Sequence, residues 1–174
     1  GGVLDSNVKN VKYDQFTVLP TPQRIGYTFV GWETENGQIH SNRFNYKYLK
    51  NLLLKAVWEA NTYTITYDAA VGVLESLTQE VTYDQPYELY IPSRLGYVFK
   101  GYTKDELPFI LTEVWTEDED IILTANWEIE IYNITYELDN GINNEKNIST
   151  FTILDRFTFF EPTRVGYKFK GWYY

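Results

Sequence analysis

The stretch Arg94–Tyr102, RLGYVFKGY, decides how this chain is read, because it returns as RIGYTFVGW at Arg24–Trp32 and as RVGYKFKGW at Arg164–Trp172. Arg24 to Arg94 and Arg94 to Arg164 are both steps of 70 residues, and Pro22, Pro92 and Pro162 keep the same interval. A fixed period of that length marks a tandem array of small units. Within the central copy, Tyr97 and Phe99 fall on one face of an extended strand, and Val98 and Lys100 on the other. The corresponding outer pairs are Thr28 with Val30 and Lys168 with Lys170. One face is always aromatic and the other mixed or basic, which is the pattern of a half-buried strand.

Two glycines punctuate each copy. Gly26, Gly96 and Gly166 stand where a turn needs a positive φ or a close backbone approach. Gly31, Gly101 and Gly171 interrupt the alternation just before Trp32, Tyr102 and Trp172, as a β-bulge does. A bulge shifts the facing by one residue. Trp32, Tyr102 and Trp172 are therefore expected to join Tyr27 and Phe29, Tyr97 and Phe99, and Tyr167 and Phe169 on the buried side.

Measured against this period, the chain divides into three copies. Residues 1–61 read as a repeat lacking its opening strand, 62–130 as a complete one, and 131–174 as one lacking its closing strand. In the complete copy Tyr63, Ile65 and Tyr67 open, Ala69–Ser76 turns, Val81 and Tyr83 return, and Ile121, Leu123, Ala125 and Trp127 close. Leu52, Leu54, Ala56 and Trp58 match that closing strand. In the third copy Tyr132, Ile134 and Tyr136 open, and Asp139-Asn140-Gly141 is a strong turn signal. The incomplete copies leave apolar faces and open strand edges, which neighbours or another chain would cover. The chain holds no methionine, and we expect it to be a piece of a longer protein.

The series aromatic-x-Ile-Thr-Tyr at Tyr63–Tyr67, a long hairpin, Pro-x-Arg-x-Gly-Tyr-x-Phe-x-Gly before an aromatic, and a strand ending in Ala-x-Trp resembles the Listeria–Bacteroides repeat. This family is also called the internalin B-repeat. The resemblance covers nearly the whole chain. It implies a mainly β fold of the α+β kind: tandem small β-grasp-like, ubiquitin-like units. In such a fold Lys104–Asp120 holds the crossing helix or an extended substitute, and Pro108 and the β-branched residues disfavour a long helix there. The resemblance also implies a place outside the cell, on a bacterial surface or in its wall, and a non-catalytic role as a spacer or stalk repeat that contributes to adhesion. Its partners would be neighbouring repeats of the parent chain. The alternative is a module that binds a glycan or a host protein through exposed aromatics or a sheet edge.

Composition agrees with small units stabilised by rings. Tyr, Phe and Trp number 16, 10 and 5, and there is no cysteine to form a disulfide. Each large ring can bury roughly 150–250 Å². The net charge of −9 opposes binding to nucleic acid or to anionic lipid. No apolar run approaches the roughly 20 residues of a membrane span.

The residues do not assemble into an enzyme. His40 is the one histidine, no nucleophile elbow or phosphate loop occurs, and the many carboxylates read as a solvated surface. No cofactor is implied. Two oxygen-rich stretches, Asp139 to Glu145 and Glu117 to Asp120, lack EF-hand spacing and read as a hairpin turn and a solvated loop rather than metal sites. Arg24, Arg94 and Arg164 read as structural, each stem lying on a neighbouring ring and each head pairing with a carboxylate. The ligand-contact candidates are the aromatics outside the repeated motif: Tyr46, Tyr48, Tyr90, Phe109, Trp115 and Tyr173.

Overall fold

The computed structural model describes residues 2–4 and 8–173. Among them every regular element is a strand: β1 (Gln15–Val18), β2 (Tyr27–Thr34), β3 (Ile39–His40), β4 (Arg43–Tyr46), β5 (Leu54–Ala60), β6 (Thr62–Asp68), β7 (Thr78–Thr82), β8 (Tyr97–Lys104), β9 (Leu107–Pro108), β10 (Ile121–Ile129), β11 (Tyr132–Asn133) and β12 (Thr150–Phe151). No helix forms among the described residues, so the expectation of an α+β, β-grasp or ubiquitin-like unit is corrected to an all-β fold of open sheets. The physical reason lies in Lys104–Asp120. Asp105 and Glu106 take φ of 49° and 67°, turning the chain so that Leu107 and Pro108 pair back onto Lys104 and Thr103. The rest of the segment is irregular, with bends at 113–114 and 118–119, and is held by the Trp115 amide donating to the Gln85 carbonyl and the Asp84 amide to that of Trp115, each at 2.9 Å.

The chain forms two compact units. The first comprises Gly1–Asp68, Ser76–Leu89 and Phe109–Leu123. Here β2 lies between β3 and β5, β1 pairs with β4, and β6 pairs antiparallel with β7 and neighbours β10. Leu19, Trp32 and Phe44 make one core cluster, against which Phe29, Tyr46, Tyr48 and Leu54 pack. Ile65, Leu123 and Trp115 are the most deeply buried large side chains.

The second unit comprises Ala69–Glu75, Tyr90–Pro108 and Thr124–Tyr174. In it β8 lies between β10 and β9, and β11 pairs with β12. Phe99 meets Tyr102 and Trp127 edge-on at 4.9 and 5.7 Å. The Trp127 indole donates to the Ala69 carbonyl at 3.0 Å.

The expected bulges are present in two copies. Phe29 pairs with Trp58 and Gly31 with Val57, leaving Val30 as the extra residue; Phe99 pairs with Trp127 and Tyr102 with Ala125. The shift brings Trp32 and Tyr102 inward, to 7% and 6% exposure. In the third copy Tyr167–Trp172 joins no ladder, and Tyr167 stays 68% exposed. A β-strand requires a hydrogen-bonded neighbour, and none of the described residues pairs with this one.

Candidate functional site

The feature that recurs with the period is a joint built on the Arg-x-Gly-Tyr turn. Its amide bond closes identically three times: Tyr27, Tyr97 and Tyr167 each donate to the carbonyl of Arg24, Arg94 and Arg164 at 3.1 Å. The glycine in each turn has φ of 73–79°, which a residue with a Cβ adopts only at a cost. Each guanidinium lies over the ring that follows, 3.5, 3.6 and 3.9 Å from the centroids of Tyr27, Tyr97 and Tyr167. The arginines thus lock the turn, and Arg164 also pairs with Asp139.

Against two of these turns sits a residue 57 positions further on. A Cβ on Gly26 would lie 2.2–2.4 Å from the Tyr83 ring, and one on Gly96 would lie 2.6 Å from Cβ of Ile153. Tyr83 and Ile153 are themselves 70 residues apart, so they are the same position in successive copies. At the first joint Tyr27 and Tyr83 meet edge-on at 5.6 Å, and the Tyr27 hydroxyl donates to Asp84 at 2.7 Å. That bond to a carboxylate is what raises the Tyr27 pKa. The connecting residue is held too, the amides of Asn61 and Glu130 donating to the carbonyls of Gly26 and Gly96 at 2.9 Å.

The aromatic ligand candidates separate by exposure. Trp115 is 1% exposed, with Tyr87 edge-on at 5.1 Å and Phe109 tilted at 6.3 Å. Tyr46 and Tyr48 are half-buried against the first core cluster, the Tyr46 hydroxyl donating to the Lys50 carbonyl. The Tyr90 carbonyl accepts the Tyr102 hydroxyl at 2.9 Å. Tyr173 stands 85% exposed. The structure therefore gathers Phe109 and Trp115, and Tyr46 and Tyr48, as two separate groups.

Sequence reasoning missed the residue that packs against each of the first two turns, Tyr83 or Ile153, and it missed that Tyr46 and Trp115 are counterparts. The amide of Asp14 donates to the Tyr46 carbonyl at 2.7 Å, as that of Asp84 does to Trp115. The available signal was spacing: each aromatic lies eight residues before the equivalent leucine, Leu54 or Leu123.

No group of His, Asp or Glu among the described residues is placed to hold a metal ion. The Asp139 carboxylate is taken by Arg164, and Asn143 and Asn144 accept from Asn147 and Lys146 within their own turn. No helix among the described residues is long and apolar enough to cross a membrane.

Residues 1–57, 63–129 and 132–174 each match the Listeria-Bacteroides repeat domain, and the chain belongs to that family. It is a non-catalytic repeat region of the kind found in bacterial cell-surface and cell-wall proteins. Two relatives come from Evansella cellulosilytica. A putative membrane protein is 32% identical over 164 residues, covering 88% of this chain and 24% of the relative. A putative Gly-rich membrane protein is 30% identical over 172 residues, covering 92% of this chain and 19% of the relative. The chain thus spans about a quarter or less of the length of these curated relatives. No solved structure matches it.

Proposed function

We propose that the chain acts as a spacer in a bacterial surface protein, dividing at about residues 61 and 130 into three repeats that hold other parts of the parent molecule away from the envelope. The observation that carries this reading is the joint. Only Asn61 separates β5 from β6, its amide bonds to Gly26, and its carbonyl accepts the Tyr83 amide at 2.9 Å. A link this short, with both backbone groups tied, restricts swinging between consecutive repeats. The relatives' names, both membrane proteins, agree with display at an envelope.

The test uses the absence of native cysteine. Spin labels at Asn36→Cys and Asp118→Cys report on the first joint, and labels at Asp118→Cys and Glu145→Cys on the second. A single narrow distance peak for each pair, unchanged by salt, is the expected result. A broad distribution would remove the spacer reading. Saturable binding to a glycan or matrix-protein array, lost in Tyr173→Ala, would favour the ligand-binding alternative.

A further inference from the structure

Asparagine followed by glycine occurs twice in the chain, at Asn36-Gly37 and at Asn140-Gly141. This pair is chemically labile, because a glycine without a Cβ lets its backbone nitrogen swing onto the preceding side-chain amide. Both pairs sit in turns that close alike, the Gly37 amide donating to the Thr34 carbonyl at 2.9 Å and the Gly141 amide to that of Leu138 at 2.8 Å. They differ in what surrounds that bond.

The first pair belongs to the turn between β2 and β3, inside a repeat, and Asn36 and Gly37 are both exposed. A Cβ on Gly37 would meet nothing within 4 Å, so the turn has room to close a ring. Thr34, at the end of β2, is 5% exposed, and its hydroxyl donates to Oδ1 of Asn36, with the Gln38 carbonyl a second acceptor at 3.0 Å. That donor sits where negative charge gathers when the amide carbon is attacked. At the second pair Gly141 is half-buried, and a Cβ there would lie 2.9 Å from the Leu138 carbonyl oxygen and 3.1 Å from that of Thr163. Ile142 is tied to Thr163 by bonds of 2.7 and 2.9 Å. No hydroxyl among the described residues donates to the Asn140 side chain.

We propose that Asn36 is a site of spontaneous deamidation, the Thr34 hydroxyl activating its side-chain amide, so that the turn between β2 and β3 ages into aspartate and isoaspartate. The Gly37 nitrogen, its turn bond opened and its proton lost to solvent base, bonds to Cγ of Asn36. The electron pair of the side-chain carbonyl moves onto Oδ1, where the Thr34 hydroxyl stabilises it. Collapse of this intermediate breaks the Cγ–Nδ2 bond, Nδ2 leaves as ammonia with a proton from water, and a five-membered succinimide remains. Water then adds to either ring carbonyl and opens the ring. The sum is amide and water going to carboxylate and ammonium, with no oxidant or reductant. Both products place a new negative charge beside the Glu35–Lys50 ion pair, which closes at 2.9 Å. Isoaspartate also inserts a methylene into the main chain between Thr34 and Gln38, whose backbone bond of 2.9 Å holds the turn. This chemistry stands apart from the spacer role and does not depend on it.

The experiment incubates the folded chain in neutral and mildly alkaline buffer and follows each Asn-Gly pair by peptide mass mapping, with isoaspartate counted by enzymatic methylation. The urea-unfolded chain is the control. There the two pairs should convert at similar rates, since both follow an acidic residue, Glu35 or Asp139. In the folded chain Asn36 should convert ahead of Asn140, and faster as pH rises. Thr34→Val, which removes the hydroxyl, should slow Asn36 roughly fivefold, the equivalent of one lost hydrogen bond. Thr34→Ser, which keeps the hydroxyl, should stay close to wild type. Melting curves of both variants are checked first, and if Thr34→Val does not fold, the ratio of the two pairs in folded and unfolded wild type decides. An Asn36 that stays intact, an Asn140 that keeps pace with it in the folded chain, or a folded Thr34→Val that converts as fast as wild type would each overturn the proposal.

Discussion

The Tyr27 hydroxyl donates a 2.7 Å hydrogen bond to the carboxylate of Asp84, 57 residues further along the chain. This bond joins the turn of one repeat to the return segment of the next. Four expectations about the joint and the cores around it can be measured.

The first concerns alkaline pH. The bond to Asp84 holds the Tyr27 pKa above its ordinary value near 10. The unfolded chain therefore loses this proton before the folded one does. The bond's contribution is complete below about pH 10 and declines as pH rises through the raised folded value. Denaturant titrations should show that decline in wild type and less of it in Tyr27→Phe. Identical pH profiles for the two would show that the bond does not couple to stability.

Glycine substitution separates strain from packing. Gly96→Ala and Gly166→Ala both place a Cβ at positive φ, at 73° and 79°, costing about 1–2 kcal/mol each. Only the Gly96 Cβ also strikes Ile153. Gly96→Ala should therefore lower stability more than Gly166→Ala. Equal losses in chemical denaturation would mean that Ile153 moves aside freely.

Two tryptophans differ in what their indoles do. The Trp127 Nε1 donates to Ala69, whereas the buried Trp115 Nε1 has no hydrogen-bond partner among the described residues. Trp115→Ala should cost about 3–5 kcal/mol through lost burial and the cavity left behind. Trp115→Phe forfeits no hydrogen bond, while Trp127→Phe adds the loss of one, about 1 kcal/mol. Fluorescence-monitored unfolding of the two Phe variants checks the contrast.

Calcium should leave the melting temperature unchanged at about 1 mM, where weak extracellular calcium sites fill. The side-chain oxygens of Asp139, Asn143 and Asn144 are committed to Arg164, Asn147 and Lys146. A rise in Tm with calcium that chelator reverses would reveal a site elsewhere.

The motif strand, its bulge and its turn were legible because each depends on local chemistry. The alternation at Tyr27 and Phe29, and the glycines at Gly26 and Gly31, restrict the backbone within a few residues of themselves. The arginines were read with the stem on a ring and the head on a carboxylate, whereas the guanidinium head itself lies over the following tyrosine in all three turns. The crossing helix implied by family resemblance did not form. The weights against it, Pro108 and the β-branched residues, were visible, but the hairpin that replaces it depends on Asp105 and Glu106 adopting positive φ and on pairing to Thr103 and Lys104.

By itself the sequence determined the period, the family and the local form of each repeat, because these rest on side-chain identity at short spacing. Only the tertiary structure decided that Tyr83 and Ile153 fill the joints at Gly26 and Gly96, and that Tyr46 and Trp115 share one place. The physical reason is range: Tyr83 reaches Gly26 only after the intervening strands have paired, and no local pattern in either segment specifies the other.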